Sequence, residues 1–336
     1  MGRISIKWLA LGLALISLAF VVIWNRSYVD SRVDEIAIRL ELLRDLRRGA
    51  LETYINTAET ELRFWSLNKS MQETVQSLDR GWASYSRLEG DPGRALQDLY
   101  IYGNPYGWDE LYKLNDAYDG SRYSSQHAKL HPLTKLFVLE RGYYDFFLIG
   151  AEGDILYSVV KEKDFATNLL EGDFKESGLS KVFSQAVEYA ADDRVAIGDF
   201  TAYAPSAGTP AIFMAKAMLG VKGELLGVLA VQLPTDRIAE IMNYDAGMGE
   251  TGETYLVGQD LLMRSNSRFS EVSSILETTV DTDTVELALS GETGVQFTDD
   301  YRGVEVLSAY SQVQVGDFHW AVIAEVDRQE ILDIAA

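Results

Sequence analysis

Apolar positions change their spacing several times along the chain. Residues 8–24 are apolar except for Ser17, with Trp8 and Trp24 at the two ends, a run near the minimum length for a membrane-spanning helix. From Val29 the spacing opens to steps of four and three through Val33, Ile36, Leu40 and Leu43, drawing one narrow stripe on a helix. Such a stripe needs a partner, and close to a membrane the expected partner is the same helix of a second copy. Beyond Gly49 the stripe runs on through Ala50, Tyr54, Ala58, Leu62 and Trp65, which are expected to pack on the chain's own domain. The helix is predicted to end near Gly81.

Residues 88–119 are dense in Tyr, Asp, Gly and Asn, with turn signals at Asp91-Pro92-Gly93 and Gly103-Asn104-Pro105, so short helices and loops are predicted. After them the apolar period shortens. Residues 143–149 and 155–160 read as a hairpin, 179–190 as a helix, and 195–204, 211–219 and 225–233 as strands. A shorter version of the plan follows: a helix at 235–242, strand-turn-strand at 252–264, a helix at 285–289, then strands at 295–298, 304–310 and 320–325. Hairpin, helix and strands joined by short connections predict an α+β chain with two tandem antiparallel sheets flanked by helices. The last residues, 327–336, are acidic and helix-like.

Charge and composition narrow the function classes. The formal net charge of −21 repels phosphate backbones and argues against nucleic acid as a partner. The absence of cysteine removes disulfides and thiolate metal sites. Arg3 and Lys7 precede the apolar run while Arg26 and Arg32 follow it, so side-chain charge alone hardly orients it. The short head favours a cytoplasmic N-terminus, and the Trp24-Asn25-Arg26 exit, without small residues for cleavage, favours a retained anchor.

Catalytic signals are weak. His127 and His131 are four apart but lack the intervening Glu of a metalloprotease helix, and are expected to cap or line a helix before Pro132. Ser206 has no nucleophile-elbow context, and the glycines at 247–252 carry Glu250 where a phosphate would be repelled. No cofactor and no metal are expected. Binding chemistry is better represented. Tyr144 and Asp145 open a strand, Tyr157 lies in its hairpin partner, and Lys161, Asp164, Phe165 and Asn168 occupy the polar segment that follows. Asp199, Tyr203, Met214 and Lys216 come from strands expected beside them. Aromatic walls exclude water, and a few charged groups then orient a small polar solute.

Several strings together resemble a double Cache domain. They are Tyr144-Asp145-Phe146-Phe147-Leu148-Ile149, Gly153-Asp154-Ile155-Leu156-Tyr157-Ser158-Val159, the segment Lys161 through Leu169, Phe200-Thr201-Ala202-Tyr203-Ala204-Pro205-Ser206, and the stretch Gly247 through Val257. The resemblance covers roughly residues 32–326. It implies two PAS-like modules behind a long N-terminal helix, dimerisation through that helix, and the extracytoplasmic sensing part of a bacterial chemoreceptor, sensor histidine kinase or cyclase, without catalysis of its own. The resulting map places a cytoplasmic N-terminus at residues 1–7, the membrane helix at 8–24 and the stalk at 25–81. A ligand-binding membrane-distal module at 82–233 and a relaying membrane-proximal module at 234–326 follow, with 327–336 starting an exit helix toward a second membrane segment. The distal pocket implied is Tyr144, Asp145, Tyr157, Lys161, Asp199 and Tyr203. Amino-acid sensors of the family carry Arg-x-Trp-Tyr ahead of the corresponding strand, whereas this chain has Arg141-Gly142-Tyr143-Tyr144. A different small metabolite is expected, such as an organic acid met by Lys161 or an amine met by Asp145 and Asp199. A tethered hydrolase and a protein-binding adaptor are the alternative readings.

Overall fold

A computed structural model describes residues 6–88 and 90–335, with the side chains of most of residues 6–27 and of 86, 88, 334 and 335 outside that description. Helix α1 (Ile6–Leu67) contains no proline, and beyond residue 12 its one glycine is Gly49, so nothing in it forces a break. The break comes at Asn68. Its side-chain oxygen accepts the Met71 N–H at 3.2 Å and starts α2 (Lys69–Leu88), while Gln72 Nε2 covers the released carbonyl of Ser66 at 3.0 Å. Gly81 therefore lies inside a helix and does not end one. A Cβ there would come within 2.9 Å of the Cβ of Tyr123, so this glycine is where α2 is touched by the helix that begins at Arg122. Short α3 (Pro92–Gln97), a π turn (Asp98–Tyr102) and a 3₁₀ turn (Trp108–Lys113) lead into α4 (Arg122–Arg141).

Pro132 sits within α4, not beyond its end. It cannot donate to the carbonyl of Ala128, and Asn115 Nδ2 does so instead at 3.4 Å, which lets the helix run on. The first sheet contains β1 (Asp145–Gly150) and β2 (Ile155–Ser158) and, after α5 (Gly178–Glu188), β3 (Ala196–Ile197), β4 (Thr201–Tyr203), β5 (Thr209–Leu219) and β6 (Leu225–Leu233). Its order is β2-β1-β6-β5-β3, with β4 on β5, all antiparallel. Both faces are covered. Phe146, Leu148, Met214 and Val231 face the helices α1, α2 and α4, while Phe147, Ile149, Phe213 and Ala230 face α5, so the strands read as unbroken apolar runs.

Helix α6 (Thr235–Met242) leads to the second sheet: β7 (Glu253–Val257), α7 (Asp283–Leu289), β8 (Gly294–Asp299), β9 (Glu305–Val315), β10 (Phe318–Asp327) and finally α8 (Arg328–Ala335). Its order is β7-β10-β9-β8, again antiparallel. Residues 261–264, expected as a strand, make only two isolated bridges, Met263 to Val257 and Leu262 to Thr279, because Leu261 at φ 63° breaks the extended run.

The stripe on α1 meets a different partner from the one expected. Ile36 and Leu40 pack against Leu307, Ala309, Ala324 and Val326 of the second sheet and Ile331 of α8. The chain's own sheet thus covers the face assigned to a second copy. Further along, Ala58 and Leu62 are buried and Tyr54 and Trp65 partly so, against the chain's main core as expected, although Leu51 replaces the exposed Ala50. The predicted anchor at 8–24 lies in the α1 backbone, but its side chains, Ser17 and Phe20 apart, fall outside the described residues. Among the described residues no helix is long and apolar enough to cross a membrane.

The two sheets meet at a charged junction. Arg264, 3% exposed, gives Nε and Nη2 to the carboxylate of Asp199 at 2.8 and 2.9 Å, and pairs with Asp260 at 2.9 Å. Trp320 Nε1 donates to Asp199 at 3.1 Å, and its ring stacks on Phe200. Tyr189 and Arg194 both reach Asp317 across the same boundary.

Candidate functional site

A cleft of about 450 Å³ opens in the first module. Helix α4 supplies Lys135, Val138 and Leu139, the 3₁₀ turn Trp108, Leu111 and Tyr112, and the end of the hairpin Val159 to Lys163. Tyr143 and Tyr144 enter because α4 stops on Gly142 at φ 69°, whose N–H bonds back to the Val138 carbonyl and turns the chain into β1. Pro205 forms the remaining edge, and Ser206 beside it donates to Glu162 Oε2 while Tyr144 donates to Glu162 Oε1 at 2.7 Å.

Beneath the cleft lies a layer of buried polar groups. His131 Nε2–H donates to the Tyr112 carbonyl at 2.6 Å, which leaves Nδ1 to accept from the Tyr157 hydroxyl at 2.6 Å. Burial, then the neighbouring Lys161, hold this imidazole neutral, with its pKa lowered to about 2. His127 donates Nδ1–H to the Asn115 carbonyl at 2.8 Å, and its Nε2 has no hydrogen-bond partner among the described residues. Lys161 is fully buried, its Nζ 5.9 and 5.6 Å from the ring centres of Tyr100 and Tyr157, donating to the carbonyls of Ser158 and Val159 at 3.3 and 3.1 Å. Desolvation pushes its pKa down, opposed by the charge of Asp145. Asp145 and Asp164 shift the other way: burial raises both, and each stays closer to neutral than an ordinary carboxyl.

Residues 29–334 match the Cache-domain family. The chain belongs to that family. A curated relative of this Cache chain, "Probable chemoreceptor y4sI" of Sinorhizobium fredii, is 24% identical over 302 residues, covering 89% of this chain and 35% of the relative. The chain thus spans about a third of the length of the curated relative it matches. The ligand-binding domain of the Campylobacter jejuni chemoreceptor Tlp3, in complex with 4-methylisoleucine, aligns with a TM-score of 0.50 at 13% identity over 93% of each chain. The extracellular domain of vpHK1S-Z8, named as a histidine kinase, aligns with a TM-score of 0.51 at 11% identity over 93% of this chain and 96% of that one. At such identities the likeness speaks for the fold alone.

Within this Cache chain the residues singled out from sequence do not all converge. Tyr144 and Lys161 line the cleft. Asp145 lies just inside, its Oδ1 accepting the N–H groups of Phe146, Val159 and Val160 at 2.7, 2.8 and 3.1 Å. Tyr157 anchors the histidine layer, and Tyr203 donates to Asp164 from the side of the sheet that faces α5. Asp199 goes elsewhere, to the junction with Arg264. Lys216, also considered, pairs with Asp193 at 2.6 Å. Trp108, Tyr112, Lys135 and Glu162 were not singled out. Trp108, Leu111 and Tyr112 have the spacing of a buried face, which in sequence suggests core and not a cleft wall, and nothing in the local pattern around Lys135 marks it as facing a strand end 26 positions later.

Proposed function

We propose that this chain is the extracytoplasmic sensing part of a bacterial transmembrane receptor, with the cleft of the first, membrane-distal module as its solute site. The observation that carries the reading is an aromatic-walled cleft of about 450 Å³ placed over a buried cation, in a member of the Cache family. The path outward is contiguous. Tyr203 touches Asp164 beneath the cleft, Asp199 and Phe200 in the same segment hold Arg264 and Trp320 of the second module, and that module packs α1 against α8. Glu330 of α8 accepts the N–H groups of Glu250 and Thr251 at 3.1 and 2.7 Å, fixing the exit helix to its sheet. Solute binding would select one packing of the first module, and α1 and α8 would carry the difference to the membrane at residues 8–24. A homodimer would form through the outer face of α1, where Ile38, Leu42 and Leu46 are exposed.

Calorimetry on the full chain in nanodiscs with a metabolite panel tests the site. Saturable binding lost in both Tyr144→Ala and Leu139→Trp, with unchanged circular dichroism, is the expected result. Undiminished binding in both variants would move the site out of this cleft.

A further inference from the structure

The last rung between β7 and β10 pairs two acids. Glu253 opens β7 and Glu325 lies opposite it in register, each 1% exposed. The two-residue period of a strand puts both on the face that carries Tyr255, Ala321 and Ile323, under α7 and away from α1. Their donors are unequal. Glu253 accepts from Tyr301 and Ser267 at 3.0 Å each, whereas Glu325 accepts from Tyr255 on Oε2 at 3.0 Å, and its buried Oε1 has no hydrogen-bond partner among the described residues. Ser308, the register partner of Glu325 on β9, turns its hydroxyl to Thr284 of α7 at 3.3 Å instead.

The neighbouring cations are already engaged. Arg302 gives Nε to Asp300 at 2.6 Å and Nη2 to Asp327 at 2.7 Å, and Arg268 gives Nη1 to the Gly252 carbonyl at 2.7 Å. The acids of α7, Asp283 and Glu286, are exposed. Glu325 therefore faces Glu253 and Tyr255 from β7, and Asp300, Tyr301 and Arg302 from the turn after β8. Two acids side by side in a dry layer resist ionising together. Burial raises both, and Glu325, with Asp300 and Glu253 beside it, reaches about 8. The proton is held below that pH and leaves as pH rises through it.

What adjoins this rung is the seat of α8. Two residues before Glu253, Thr251 gives its N–H and its hydroxyl to Glu330 Oε2 at 2.7 and 2.5 Å, and the same hydroxyl oxygen accepts the N–H of Asp327, the last residue of β10, at 3.1 Å. The Glu250 N–H adds a bond to Glu330 Oε1 at 3.1 Å. Since β10 runs straight into α8 at Arg328, an opening of β7 from β10 at this rung pulls Thr251 away from both Asp327 and Glu330.

We propose that the Glu253–Glu325 rung is a proton-operated catch on α8: with the proton in place the rung is closed and Glu330 is seated on Thr251, and loss of the proton drives β7 from β10 at their shared end and releases the start of α8. As regulation this rests on the sensing role proposed above, to which it adds an input from alkaline surroundings that needs no solute. As a movement of α8 it requires no cleft.

Hydrogen exchange by mass spectrometry on the full chain in nanodiscs, without ligand, tests the catch from pH ~6 to ~9.5, with rates corrected for the intrinsic pH dependence of exchange. The expected result is a rise on the order of tenfold in the corrected rates of residues 250–253 and 326–333 across the upper half of that range, with residues 309–313 at the centre of β9 unchanged. Glu325→Gln and Glu253→Gln should each remove most of the rise and leave α8 as protected at high pH as the wild type is at low pH. The two lie on different strands, so a variant that fails to fold leaves the other to decide. A wild type without the rise would overturn the catch, as would the same rise in both variants. A rise of equal size at residues 309–313 would overturn it too, because the whole module would then be opening. None of these outcomes bears on the cleft, which a solute panel alone decides.

Discussion

Each module buries acids among tyrosines, but in different company. In the first, Asp145 and Asp164 share their layer with Lys161 and two neutral histidines, next to an open cleft. In the second, Glu253 and Glu325 face each other across β7 and β10, each 1% exposed, and among the described residues the side chains that donate hydrogen bonds to them are hydroxyls. Tyr255 donates to Glu325 at 3.0 Å, and Ser267 and Tyr301 donate to Glu253, each at 3.0 Å. Like charges directly opposite in a sheet are unfavourable, and here burial, then the nearby Asp300 and Glu253, raise Glu325 to about 8. Burial thus raises the acids of both modules, in two settings: beside a cation next to an open cleft in the first, and opposite another acid in a closed layer in the second.

The largest effect tests whether the two modules are one cooperative unit. Arg264→Met strands Asp199 and Asp260 together, and breaking a buried pair costs about 3 kcal/mol, at the low end here because both acids are partly exposed. Thermal unfolding should shift down by on the order of 5 °C and separate into two steps. Asp199→Asn should keep the affinity of any cleft ligand. Loss of affinity at unchanged thermal stability would place Asp199 in the binding machinery after all.

Glu325→Gln addresses the closed layer. The folded pKa lies above the unfolded one, so the native state holds a proton that the unfolded chain releases. Its contribution is complete below pH ~4.5 and is lost as pH rises through about 8. The wild type should therefore lose stability between pH 5 and 8 relative to Glu325→Gln. The variant should match it at pH 5 and exceed it by on the order of 2 kcal/mol at pH 8. Equal pH dependence of the two proteins, read by urea unfolding, would mean that Glu325 is ionised in the fold. Tyr203→Phe, the first module's counterpart, removes one donor from Asp164 and should cost about 1–2 kcal/mol at neutral pH.

The unequal legibility of the two modules has a physical origin. Runs such as Phe146 to Ile149 announce a strand because both faces of the first sheet are covered, and the hairpin then places Tyr144, Asp145, Tyr157 and Lys161 in one neighbourhood. Asp199 escapes that logic. Residues between the short strands β3 and β4 leave the sheet and reach the second module, which no local period records. Gly81 was ambiguous for a related reason: a glycine marks a helix stop or a close approach equally well, and only Tyr123 decides. Lys135 belongs to the cleft through α4 running past Pro132, an outcome that rests on Asn115, a residue in a loop.

The smallest effect on stability separates two faces of α1. The stripe Ile36, Leu40 and Leu43 shows that a face is covered and cannot say by what; over Ile36 and Leu40 the cover is the second sheet with Ile331 of α8. Ile38, Leu42 and Leu46 lie on the other side, 67%, 59% and 56% exposed, a spacing of four that forms its own apolar row. Replacing Ile38 and Leu42 by Gln removes side chains that touch little in their own chain, so the unfolding midpoint should move by less than about 0.5 kcal/mol. Leu40→Gln, by contrast, should cost several times more, because it puts an amide against Leu307 and Val326. If the outer row joins two copies, the double variant should turn a dimer into a monomer by light scattering while that stability holds. A dimer mass unchanged in the variant would assign the contact to another surface.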